Sequence, residues 1–91
     1  MDIYISAVSQ IIKQQAAVIG PLAMDQARKV SGLEVLSENE VRIKGNGKQV
    51  LEKLVETYSR LFGQASIEVC KDAIKEINPP IKTEDLPQIL L

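Results

Sequence analysis

The chain of 91 residues contains no histidine, no tryptophan and a single cysteine, Cys70. Without histidine there is no His-based catalytic triad, no His-ligated zinc and no imidazole proton shuttle. One thiol forms no internal disulfide and supports no multi-cysteine metal site. Aromatic residues make up 3% of the chain (Tyr4, Tyr58 and Phe62), so its core has to be aliphatic. Neither sign of charge dominates: 11 basic against 12 acidic residues leave a net charge of −1. That is not the electrostatic footprint of a nucleic-acid binder. No apolar run approaches the ~20 residues that span a bilayer, and no membrane partner is expected. Met1-Asp2-Ile3-Tyr4 has no basic region ahead of an apolar run, so a secretory signal is not expected and the cytoplasm is.

What is present, 45% hydrophobic and 25% charged residues, suits one small soluble domain. A domain this short buries a modest share of its surface and is marginally stable. Asp2 is placed to cap a first helix, whose apolar residues Ile5, Val8, Ile12, Ala16 and Ile19 recur at helical spacing. The spacing predicts a helix from about residue 2 to about residue 19.

Ile19-Gly20-Pro21-Leu22-Ala23 interrupts that pattern. Proline lacks an N–H, and its ring would collide with the carbonyl of Ala17 in a continuous helix. A break or strong kink is expected, with Pro21 opening a second segment over about 21 to 31. Leu22, Ala23, Ala27 and Val30 keep the apolar stripe in phase, so both segments should face one core.

Past Ser31-Gly32 the period changes to two. Val35 paired with Val41 makes a hairpin, sets Glu34 opposite Arg42, and leaves Ser37, Glu38 and Asn39 as its loop, with Asn39 in the left-handed position. Asn46 is placed to cap the next helix, with the stripe Val50, Leu51, Leu54, Val55, Tyr58, Leu61 and Phe62. Lys48–Glu52 and Glu56–Arg60, four apart, suit helix-surface ion pairs. Gly63 closes this helix and Ser66 is placed to cap the last, with Ile67, Cys70, Ile74 and Ile77 on its apolar side. Asn78-Pro79-Pro80 ends it. The expected fold is α+β and mostly helical: a kinked or broken N-terminal helix pair, a β-hairpin, two C-terminal helices and an ordered apolar tail. Residues 1–78 read as the compact domain and 79–91 as the tail, with Pro87 forbidding a long regular helix there.

Chemistry-bearing candidates are few. Lys44, Gly45, Asn46, Gly47 and Lys48 lie between a strand and a helix, where backbone N–H groups and lysines can hold an anion. This is not a Walker A loop, because Arg42 stands in place of the first glycine and Gln49 in place of Ser or Thr. Cys70, on the apolar side of its helix, reads as a small hydrophobe rather than a nucleophile. Glu34, Glu38 and Glu40 read as a solvated hairpin edge, and Arg28-Lys29 as cations complementing a helix C-terminus. No catalytic residue, cofactor site or metal site is expected.

The apolar tail residues Leu86, Ile89, Leu90 and Leu91 are candidates for partner binding, because the tail must pack on its own domain or on another chain. Outer hairpin edges raise the same question. Both point to a protein partner or a second copy of the chain, with a small-ligand or anion-binding regulatory domain built on the Lys44–Lys48 turn as the alternative. Val18-Ile19-Gly20-Pro21-Leu22-Ala23, followed by Ala27-Arg28, also resembles the IGP-[IL]-A stretch of a small helical module. That module occurs at the C-terminal ends of some bacterial serine/threonine kinases and response regulators. The resemblance covers about ten residues, implies a bacterial signalling or scaffold setting, and brings no catalytic residue with it.

Overall fold

The computed structural model describes residues 2–37, 39–78 and 80–91. Its order is α1 (Ile3–Ile19), α2 (Leu22–Ala27), β1 (Leu33–Ser37), β2 (Glu40–Ile43), α3 (Gly47–Phe62) and α4 (Gln64–Lys75), followed by two short 3₁₀ turns, Thr83–Asp85 and Gln88–Leu90. This is the mostly helical α+β arrangement that the periodicity implies. α1 is the central element and packs against α2, α3, α4 and β2.

That central position explains the burial of α1. Ala7, Val8, Ile11, Ile12 and Gln15 are its buried residues, while Ile5, Ala16 and Ile19 are only partly covered. The buried arc is therefore broader than the expected stripe and displaced from it, because neighbours cover α1 on several sides. Asp2 caps the helix as expected, accepting from the Tyr4 N–H at 2.8 Å.

The chain breaks fully at Gly20. Gly20 adopts φ 69° and ψ −147°, a region that essentially only glycine occupies, and its N–H closes α1 on the Ala16 carbonyl at 2.9 Å. Pro21 follows at φ −59°, already helical, and leads into α2. α2 is shorter than expected and ends at Ala27. Single turns then carry the chain to β1, with Val30 donating to Ala27 and Leu33 to Val30.

The hairpin has the expected register, Val35 opposite Val41 and Glu34 opposite Arg42. Leu33, Val35 and Val41 are buried against the helices. Two details differ. Glu34 pairs with Lys44 at 3.7 Å rather than with Arg42. Ser37 pairs with Glu40, so Leu36 is an extra, bulged residue and Ser37 belongs to β1 rather than to the loop. Glu38, the centre of the expected loop, lies outside the described residues.

Asn46 caps α3, its Oδ1 accepting from the Gln49 N–H at 3.0 Å. Gly63 both closes α3 and opens α4, reversing the chain without a linker. Ser66 is therefore inside α4 and is not its cap. It is buried, and its hydroxyl donates to the Tyr58 carbonyl at 3.1 Å. Pro79 at the end of this region lies outside the described residues.

The tail packs on its own domain. Pro87 and Leu90 are buried, Ile81, Leu86 and Ile89 rest on the core, and the last 3₁₀ turn touches α3 and α4. Tyr4 donates its hydroxyl to the Asp85 carbonyl at 2.8 Å. The chain's accessible surface is 5224 Å², against about 5200 Å² expected for a folded monomer of this mass.

Candidate functional site

Three buried polar side chains tie the helices together, joining α2 to α3, α1 to α4 and α4 to α3. Tyr58 donates its hydroxyl to the Ala23 carbonyl at 2.6 Å. Gln15 donates to the Ser66 carbonyl at 3.0 Å and lies 3.4 Å from the Cys70 sulfur. Ser66 returns to Tyr58. Among the described residues no buried side-chain nitrogen or oxygen lacks a partner. Burial pushes the Tyr58 hydroxyl well above its ordinary value and the Cys70 thiol up to about 11, with the contact from Gln15 opposing the latter shift. These groups are therefore neutral and internal, and Cys70 is a packing residue. Sequence reasoning passed over Gln15. The available signal was its position four residues after Ile11, inside the buried arc.

The Tyr58–Ala23 bond fixes α2 beside α3, and the chain after α2 then runs back toward the start of α3. An open groove of about 380 Å³ lies between them. On the α2 side it is lined by Gln26, Lys29 and Val30, and on the α3 side by Lys53, Arg60 and Leu61 among others. Glu56 is its single carboxylate. Val30 is buried at its base, and Leu61 is 52% exposed at its rim.

The ion pairs among the described residues are Arg28–Asp25, Lys44–Glu34, Lys71–Glu68 and Lys75–Asp72. None involves Lys29, Lys53 or Arg60. The expected helix-surface pairs Lys48–Glu52 and Glu56–Arg60 are likewise not formed. Lys48 turns instead to the Glu84 carbonyl in the tail, at 3.2 Å. Arg28 does more than end a helix: its Nε donates to the Val35 carbonyl at 3.4 Å, covering part of the hairpin's outer edge.

The glycine-rich turn has structural employment throughout. Asn46 Oδ1 occupies the capping position at the start of α3. Gly47 lies against the Tyr4 ring, where a Cβ would stand 2.5 Å from Cδ2. Lys44 and Lys48 reach toward Glu34 and the tail, away from a common point. The five candidate anion-binding residues are thus adjacent in the chain but do not converge. Of the tail candidates, Leu90 is 6% exposed and Leu86 and Ile89 are packed on the core, leaving Leu91, at 60%, as the one turned outward. The last 3₁₀ turn, Gln88–Leu90, packs against the domain's own α3 and α4, while Leu86 and Ile89 keep part of their surface open.

Among the described residues no group of three or more Cys, Asp or Glu side chains could hold a metal ion, and no helix is long and apolar enough to cross a membrane. Comparison with protein-family models, with curated proteins and with solved structures finds no match to this chain.

Proposed function

We propose that the chain is a small, non-enzymatic protein-interaction module of the cytoplasm that presents the α2–α3 groove to a protein partner. The observation that supports this is the groove itself. It combines an apolar base, an exposed Leu61 and three cations outside the ion pairs of the described residues, on a domain whose buried side-chain polar groups, among those residues, are all satisfied. Apolar surface rimmed by polar groups is a common feature of protein-binding sites. The resemblance of the Val18–Ala23 stretch favours a signalling or scaffold setting. The tail packs on this domain's own core, so in this reading the partner docks on a domain that is already folded.

Site-specific photocrosslinking tests the reading. A crosslinking residue at Thr57, which lines the groove, should give a discrete adduct in cells, and the same residue at Lys75 on α4 should give none. Equal adducts from both positions, or none from Thr57, would refute it. Light scattering on the purified chain at micromolar concentration reports self-association, against a monomer mass of 10.0 kDa.

A further inference from the structure

The chemistry of the groove narrows the class of partner. Lys53 and Arg60 stand seven residues apart, two turns along one face of α3 and about 10 Å along its axis. Lys29 faces them from the turn after α2. With three cations and one carboxylate, the groove is positive on a chain whose net charge is −1.

We propose that this groove docks an acidic, extended segment of another protein, its carboxylates on Lys29, Lys53 and Arg60 and one apolar side chain against Leu61 and Val30. The inference rests on the interaction reading above and supplies its chemistry. Charge complementarity selects an acidic occupant, and the apolar base selects one that also carries an apolar side chain. From Lys53 to Leu61 the α3 wall is about 12 Å long, which about four extended residues would cover. A nucleic acid fits less well, because no aromatic side chain lines the groove to stack on a base. A second copy fits less well too: a two-fold pairing of groove on groove would set the three cations against themselves.

The test is a titration of the full chain followed by amide chemical shifts. The probe is a synthetic decapeptide of glutamates around a central leucine. One control replaces the glutamates with glutamine, and another replaces the leucine with serine. The acidic peptide should shift residues 26–31 and 53–61, with the glutamine control at least about tenfold weaker and the affinity falling as salt is raised. The serine control should also bind more weakly. The triple variant Lys29→Glu, Lys53→Glu, Arg60→Glu changes exposed side chains only, so it should keep the dispersed spectrum of the fold while losing the acidic peptide. Equal binding of the glutamine control, or shifts centred on residues 44–48, would overturn the proposal. So would tighter binding of a single-stranded oligonucleotide on the same face. If the acidic peptide fails while Thr57 still crosslinks a partner, the acidic chemistry falls and the interaction module stands. If both fail, both fall.

Discussion

Replacing Tyr58 with phenylalanine isolates one bond at the α1–α2 corner. The ring is fully buried and phenylalanine keeps its packing, so the variant opens no cavity of consequence. What disappears is the 2.6 Å bond to the Ala23 carbonyl. A buried hydrogen bond of this kind contributes about 1 kcal/mol net, and an acceptor left without its donor adds a further cost, for a total of about 1–2.5 kcal/mol. In a domain of this size each kcal/mol lowers Tm by about 5 °C, so the loss should be roughly 5–12 °C. Thermal melts followed by circular dichroism, with urea titrations to confirm an unchanged m value, would measure it. The corresponding change at Tyr4 removes a bond to Asp85 that is only part-buried, and should cost less than about 1 kcal/mol. A Tyr58→Phe variant within about 1 °C of the parent, or one no worse than Tyr4→Phe, would show that the hydroxyl does not pin α2 to α3.

Three further outcomes follow from the same structure. Leu90→Ala empties a buried site and should destabilise the chain by about 2–4 kcal/mol, whereas Leu91→Ala should change urea stability by less than about 0.5 kcal/mol; equal effects would mean the tail is not docked as described. Gly20→Ala should cost about 1–3 kcal/mol through backbone strain alone, because a Cβ there meets nothing within 4 Å, while Pro21→Ala should cost at most about 1 kcal/mol, mainly through the unfolded chain; urea titration of both would show which residue sets the corner. For Cys70, burial raises the folded thiol from 9.0 to about 11, so from pH 9 upward the unfolded state releases a proton that the folded state keeps. Stability should therefore fall as pH rises through this window, by on the order of 2 kcal/mol. Tyr58 acts in the same direction at higher pH, and Cys70→Ala should flatten the slope measured by thermal melts between about pH 8 and pH 11.

The legible parts of this fold are those whose cause is local. Asp2 and Asn46 each accept an N–H within three residues, and a capping residue before an apolar stripe is visible in the sequence. The hairpin register follows from matching Val35 with Val41, because a slip of one residue would turn both faces over. The Gly20-Pro21 break follows from two residues with narrow conformational meaning. The unread parts join residues far apart in the chain. Gln15 to Ser66, Tyr58 to Ala23 and Lys48 to Glu84 have separations of 51, 35 and 36 residues, which no periodicity couples. Ser66 has good capping chemistry, but the positive φ of Gly63 starts α4 earlier and sends the serine inward. The groove cations were each visible as polar positions, Lys53 and Arg60 off the α3 stripe and Lys29 near a helix end. Their convergence depends on the packing of α2 on α3.

That packing links the corner to the groove. Gly20 and Pro21 release α2 from the direction of α1, and Tyr58 then fixes it at a set distance from α3. The two walls of the groove are thus α2, only six residues long, with the turn that follows it, and a sixteen-residue helix, joined by a bond in the core. A helix of six residues has little stability of its own, so its position must come from such contacts. A docked segment meets walls already in place and does not have to order them, which lowers the cost of binding. In Tyr58→Phe that advantage should shrink. The acidic peptide should bind more weakly to this variant even though residue 58 does not line the groove, and the amides of α2 should exchange hydrogen faster than those of α3. Unchanged affinity in a measurably destabilised Tyr58→Phe protein would mean that α2 is held by its apolar contacts alone, through Ala23 and Ala27.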